Sequence, residues 1–210
     1  MTGYCRDIIE AGRRLYLRGL VAGREGNISV RLPQGHILIT PRGLSKGFLQ
    51  EGDLVIIDTE GRVVSGDREP SSEWRMHVAA YRYRPDVGAV VHAHPPLATA
   101  FSVARGKLPL EGLPEVLLVM GPVASVPYAP PGTEELAQKL LPFWKGHDAF
   151  LLCNHGALTL GKDLEEALYR MEVLEQCASI MFYASLLQRI CPLEEREKLK
   201  GGGDEGCASP

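Results

Sequence analysis

Three histidines and one glutamate are placed along this chain so that they could grip a metal ion. His92 and His94 close an apolar, β-branched run, Gly88–His94. In an extended strand side chains repeat every second residue, so these two imidazoles leave one face with their Cα atoms about 7 Å apart. Two ring nitrogens can then share one cation, although the pair by itself reads equally as two hydrogen-bonding groups. His155 lies in Asn154-His155-Gly156, a break in a second apolar run, where a glycine-flanked turn bares an imidazole. Glu73 follows Pro70-Ser71-Ser72 at the start of a helix. The helix dipole favours a carboxylate there, and the side chain can reach beyond the helix end, although alone it fits a capping box just as well. The four together offer three neutral nitrogens and one carboxylate, a set that suits Zn²⁺ and leaves room for a substrate. His77, one turn after Glu73, is a rival ligand but sits among aromatics and reads as a packed residue; His36 and His147 lie in turns and carry no case.

Three breaks in the chain are placed to bare backbone N–H groups: Gly26-Asn27, Arg42-Gly43 and Ser71-Ser72. The last is the strongest, because a helix start with two hydroxyls and free amides is an anion site, and it adjoins Glu73. A phosphate held there would set the rest of its molecule beside the metal. Taken singly, each loop also reads as an ordinary turn or cap.

The elements that must position these residues follow from periodicity and punctuation. Residues 4–20 have helix-spaced apolar positions and stop at Gly19 and Gly23. Asn27–Leu32, His36–Thr40 and Leu54–Asp58 are short strand-like runs separated by turn signals. A helix runs from Trp74 to Tyr83, a buried strand ends at His94, and Leu97–Ala104 is helical. Glu115–Pro127 is read as two strand pieces, Thr133–Leu141 as a helix capped by Thr133, Ala149–Leu160 as two strands broken at His155, and Leu164–Ile190 as a long helix. Strands and helices alternate without strict βαβ order. The expected fold class is therefore α/β, a three-layer αβα arrangement with a mixed, largely antiparallel central sheet flanked by helices.

Composition bounds the remaining possibilities. With 210 residues, 45% of them apolar, one domain with a substantial core is expected. A formal charge of −3 gives no cation excess for nucleic acid or an anionic membrane. Five scattered cysteines suggest neither a disulfide framework nor a cysteine zinc site, and no run approaches a signal peptide or a membrane span; a cytoplasmic location is expected. Residues 193–210 are charged and glycine-rich and are expected to be a disordered tail beyond a 1–192 domain.

The segments Gly26-Asn27-Ile28-Ser29, Ile39-Thr40-Pro41-Arg42-Gly43, Pro70 through His77, Val91-His92-Ala93-His94 and Asn154-His155-Gly156 together resemble the class II aldolase family, in particular its L-fuculose-1-phosphate aldolase branch, over roughly residues 5–190. The resemblance implies one zinc ion per subunit on Glu73, His92, His94 and His155, with Glu73 also the catalytic base. It implies substrate phosphate among Gly26, Asn27, Arg42, Gly43, Ser71 and Ser72. It further implies a homotetramer with sites at subunit boundaries and a small sugar phosphate as the only other partner.

The chain departs from that branch at the aldehyde end. A family tyrosine supplied by the neighbouring subunit falls at Leu113, an aromatic falls at Pro131, and residues 192–210 contain no tyrosine; Glu115 is a candidate replacement for the missing proton donor. Other ketose 1-phosphates, such as 5-deoxyribulose or methylthioribulose 1-phosphate, fit the same sites. Methylthioribulose-1-phosphate dehydratase and pentulose-phosphate 4-epimerase activities are alternatives on this scaffold, the epimerase pattern having Asp in place of Glu73. A non-catalytic zinc or sugar-phosphate binding module is a further alternative.

Overall fold

The structure, a computed structural model, describes residues 2–104, 108–110 and 113–187. Helix α1 (Thr2–Leu17) leads into strands β1 (Asn27–Arg31), β2 (Ile37–Ile39), β3 (Val55–Ile57) and β4 (Val63–Ser65). Helix α2 (Trp74–Tyr83), strand β5 (Ala89–Ala93), helices α3 (Pro96–Ala104) and α4 (Pro114–Met120) and strand β6 (Val123–Val126) follow. The chain continues through α5 (Glu134–Leu140), β7 (Ala149–Leu152), β8 (Gly156–Gly161) and α6 (Leu164–Leu186).

The eight strands of the described residues form one sheet in the order β4-β3-β2-β1-β5-β8-β7-β6. Every neighbouring pair is antiparallel except β6 with β7. That pair is joined by the segment carrying α5, the kind of crossover a parallel pair requires. The sheet is thus mixed and largely antiparallel, with helices on both faces. Strands β5, β7 and β8 are buried along their whole length, which is why they read as continuous apolar runs and not as alternations.

Alternation across the sheet sorts the core into two halves. Val91 and Leu151 pack with Ile8, Leu15, Met171 and Leu174 of α1 and α6. Val90, Phe150 and Leu158 pack with Met76 of α2 and Leu136 and Leu140 of α5. By strand parity His92 lies on the α2 side, and that parity lets a residue at the start of α2 meet it.

Two elements differ from the sequence expectation. The stretch read as two strands in Glu115–Pro127 is one helix and one strand, α4 and β6. Pro114 stands at the first helical position and Gly121, at φ 72°, stops the helix; the short apolar run between them has no periodicity to tell helix from strand. Strand β4 leaves no sequence signal: its three residues are exposed and alternate nothing. Capping reads as expected at α5, where Thr133 accepts from the Leu136 amide, and Asp163 does the same for α6 at Glu166. The tail 193–210 lies outside the described residues, as do Cys191 and Cys207; Cys5 and Cys177 are buried thiols, and Cys153 is half-buried.

Candidate metal centre and active site

His92 stands near the end of β5, opposite Asn27 of β1 on one side and Leu158 of β8 on the other. His94 leaves the strand just after it, and its amide donates to the Leu20 carbonyl. His155 is presented by the turn between β7 and β8. Asn154 takes a left-handed φ of 56° there, a conformation asparagine tolerates better than most residues, and donates its amide to Ser102 Oγ. Gly156 closes the turn against the imidazoles: a Cβ on it would meet the Ala93 carbonyl oxygen at 2.6 Å and His94 Cδ2 at 2.7 Å. The turn reaches the other two histidines only because that residue has no side chain.

The three rings converge, with centroids 4.7 to 5.1 Å apart. One ligand atom from each of His92, His94 and His155 lies within 4.8 Å of the others, so the trio can hold a metal ion. His92 Nδ1 lies 2.8 Å from the Ala157 carbonyl oxygen. A carbonyl only accepts, so Nδ1 carries a proton and Nε2 is the nitrogen turned inward, free to take a second proton or to meet a cation. His92 Nε2 and His94 Nε2 are 3.1 Å apart, and two inward lone pairs at that distance repel unless a proton or a cation lies between them.

Glu73 occupies the position before α2, but its side chain makes no capping bond. It turns into the centre, with Oε2 3.0 Å from His92 Nε2 and Oε1 3.4 Å from His155 Nε2. The capping is left to Ser71, whose Oγ accepts from the Glu73 amide. Among the described residues, neither Glu73 Oε1 nor His155 Nδ1, both buried, has a hydrogen-bond partner. A buried carboxylate oxygen facing three imidazoles is the donor set of a divalent cation site, so the residues fit a metal.

The electrostatics agree. Burial alone would raise the Glu73 pKa, but the charge and hydrogen bond of His92, then His155 and Asn27, hold it well below the usual carboxylate range. Burial, followed by the charge on His92, pushes His155 down to about 3. Burial also opposes charge on His92, yet the adjacent Glu73 carboxylate and the Ala157 carbonyl outweigh it and raise that pKa. The buried carboxylate thus draws positive charge to this point, whether carried by a proton or by a cation.

Beside this centre lies a cavity of about 210 Å³ bordered by Glu73, His94 and His155 and by all of Gly26, Asn27, Arg42, Gly43, Ser71 and Ser72. The three loops are tied to one another. Ser71 N donates to Thr40 O, Arg42 N to Glu69 O, and Ile28 N to Thr40 Oγ1. Gly26 has a φ of 69°, and a Cβ there would meet Val21 and the His92 carbonyl oxygen, so this loop too depends on glycine. The Asn27 side chain is committed elsewhere, donating from Nδ2 to Glu73 Oε2 at 2.9 Å and facing His77 with Oδ1. Both His77 ring nitrogens are occupied, so it is not free to act as a ligand.

Two neighbours carry no sequence signal. Lys46 borders the cavity, buried, with its ammonium on the carbonyls of Arg24 and Leu44. Glu25 Oε2 lies 3.6 Å from His94 Nδ1, on the far side of that ring from the centre. Both depend on loop placement, which spacing does not reveal. Pro131 borders the cavity, whereas Leu113 is partly buried against the α1/α6 core; the Glu115 side chain lies outside the described residues. A larger hollow of about 470 Å³ between α2 and α5, around Trp74, Val78, Tyr83 and Leu141, holds no histidine and lies apart from the convergent groups.

The chain is similar to known proteins in sequence and fold. Residues 6–182 match the family described as Class II Aldolase and Adducin N-terminal domain. An L-fuculose phosphate aldolase of Methanococcus maripaludis is 40% identical over 183 residues, covering 87% of this chain and 98% of the relative. A 3-oxo-tetronate 4-phosphate decarboxylase of Escherichia coli is 40% identical over 177 residues, 80% of each chain. The crystal structure of L-fuculose-1-phosphate aldolase from Thermus thermophilus superposes with a TM-score of 0.79 at 32% identity, covering 91% of this chain and 99% of that one. The chain therefore belongs to the class II aldolase and adducin N-terminal domain family, as an enzyme of the L-fuculose-phosphate aldolase kind of lyase.

Proposed function

We propose that this protein is a zinc-dependent aldolase, one ion per subunit, that reversibly splits a ketose 1-phosphate into dihydroxyacetone phosphate and an aldehyde. L-Fuculose 1-phosphate, yielding L-lactaldehyde, or a close analogue is the substrate. The observation that supports this reading is the convergence of His92, His94, His155 and Glu73 beside a small cavity bordered by the three loops expected to bind phosphate.

Breaking a carbon–carbon bond next to a ketone leaves an electron pair delocalised on two oxygens. A divalent ion held by the three imidazoles and Glu73 supplies, when bound, Lewis-acid stabilisation of that charge. Ser71, Ser72, Gly43 and the Gly26-Asn27 backbone offer N–H and hydroxyl donors to the phosphate, and Arg42 and Lys46 offer positive charge. Glu73, freed towards the substrate, takes or returns the proton at the carbon where the bond forms.

Zinc-loaded protein incubated with dihydroxyacetone phosphate and a panel of small aldehydes tests the assignment directly; condensation is expected, and none with any aldehyde would refute it. The variant Glu73→Gln is expected to keep zinc while proton exchange at the dihydroxyacetone phosphate carbon falls roughly 10²- to 10⁴-fold, the usual contribution of a general base. Unchanged exchange would remove Glu73 from that role.

A second reading is phosphorylated oxo-acid decarboxylation, favoured by the equally similar decarboxylase relative and by the apolar Leu113 and Pro131. Loss of CO₂ leaves the same delocalised electron pair but requires no proton to be taken from a substrate hydroxyl, the task of the absent tyrosine. Carbon dioxide release from 3-oxo-tetronate 4-phosphate, outpacing any retro-aldol rate, would select it.

The subunits are expected to form a homotetramer with sites at their boundaries. Exposed Val103, Leu117, Leu118, Phe182, Tyr183 and Leu186 on α3, α4 and α6 supply apolar surface for such contacts. Sedimentation of a fully active monomer would contradict it.

A further inference from the structure

A line of buried polar side chains runs from the Glu73 carboxylate into the space between β1 and α2. Asn27 Nδ2 lies 2.9 Å from Glu73 Oε2, Asn27 Oδ1 2.5 Å from His77 Nε2, His77 Nδ1 2.7 Å from Ser29 Oγ, and Ser29 Oγ 2.7 Å from Tyr81 Oη. Asn27, Ser29, His77 and Tyr81 are all buried.

The direction of every bond in this line is determined by its end. An ionised carboxylate accepts only, so Asn27 must show it the NH₂. The amide oxygen then faces His77, which must donate from Nε2. Burial, with the charge on His92, pushes the His77 pKa down to about 3, so the ring is neutral and carries a single proton. Its Nδ1 is therefore an acceptor, Ser29 donates to it, and Tyr81 donates to Ser29. Each group spends its donor towards Glu73. A core that needed only packing would fill these positions with apolar residues at no hydrogen-bonding cost.

We propose that His77 is a positioning residue: as the neutral Nε2–H tautomer it locks the Asn27 amide with its NH₂ on Glu73 Oε2, leaving Oε1 as the oxygen that exchanges protons with substrate. An asparagine amide is nearly symmetric in shape, and a half-turn would put its carbonyl oxygen against the carboxylate. The carboxylate opposes that half-turn from one end, and the His77 N–H, donating to Oδ1, opposes it from the other. This inference rests on the reading of Glu73 as the base.

Nitrogen-15 NMR of the zinc-loaded wild-type protein reads the tautomer without any substitution; a His77 ring protonated on Nε2 alone is expected, and an Nδ1–H tautomer or an imidazolium would overturn the proposal. Two variants then separate orientation from packing. His77→Gln keeps a donor near the Nε2 position, whereas His77→Asn keeps only the acceptor near Nδ1. H77N is expected to lower kcat about 10- to 100-fold, the penalty of a misaligned catalytic group, with KM for the ketose 1-phosphate and zinc content little changed. H77Q is expected to recover most of the rate. Equal losses in both variants, or none in H77N, would overturn the proposal. Persistence of proton exchange in E73Q would instead sink the base assignment, and the NMR result would still report on His77 separately.

Discussion

A lysine buried to 2% exposure, whose ammonium among the described residues meets only the carbonyls of Arg24 and Leu44, is destabilising to the fold that keeps it. Burial pushes the Lys46 pKa from 10.5 down to about 8. The folded protein thus releases this proton before the unfolded chain does. Between about pH 8 and pH 10.5 the unfolded state binds more protons, so this group's contribution to stability rises with pH, and at pH 7 the full desolvation cost is present. Lys46→Met is expected to stabilise the protein at pH 7 by about 1–3 kcal/mol, with the gain shrinking towards pH 10, while affinity for inorganic phosphate falls. Urea titrations at the two pH values and phosphate calorimetry check both halves. Such residues are invisible in a sequence, where a lysine reads as surface. The grouping of His92, His94 and His155 was legible, because a period of two and a glycine-flanked break announce side chains that leave their elements together. The destination of the Asn27 side chain was not, since it depends on a helix that begins 47 residues later.

The β7–β8 turn shows how an element, more than a residue, makes the site. It combines the left-handed Asn154, the presented His155 and a glycine with no room for a methyl group. Gly156→Ala is expected to push His94 aside and to cost roughly 10- to 100-fold in metal affinity with the four ligand candidates intact, measurable by competition with a chromophoric chelator. Zinc affinity equal to wild type would mean that the strand ends have slack. On the other side of the centre, α3 begins directly after His94-Pro95, and Glu175 of α6 accepts from the amides of Leu97 and Ala98, fastening that helix start. Turn and capping chemistry of this kind was readable at Thr133 and at the break around His155. It failed at α4, where Val116 through Met120 gave an apolar run too short to show a period, and at β4, which has no buried face to generate one.

At the scale of the molecule, the centre draws residues from β1, the start of α2, the end of β5 and the β7–β8 turn, so an ion there fastens elements from both halves of the chain. Stripping the metal from zinc-loaded protein with a chelator is expected to lower the melting temperature by roughly 10 °C, what about 4 kcal/mol of saturating ligand gives a domain of this size. Calorimetry with and without chelator measures it, and an unshifted transition would mean that no ion is bound in the folded state. The mixed sheet and its two helical layers followed from the alternation of element types. The strand order did not, because nothing local says that β1 and β8 will flank β5.

That placement has a consequence for biosynthesis. The partner of strand β5 on one side, β1, precedes it in the chain, but its other neighbour, β8, is encoded more than sixty residues downstream. At roughly 5–20 residues per second, the nascent polypeptide carries an open, largely apolar strand edge for several seconds. During that interval it has two of its three imidazoles and no means of closing the ring. Chaperone demand should therefore peak late in translation and fall only once β8, and α6 that covers its face, have emerged.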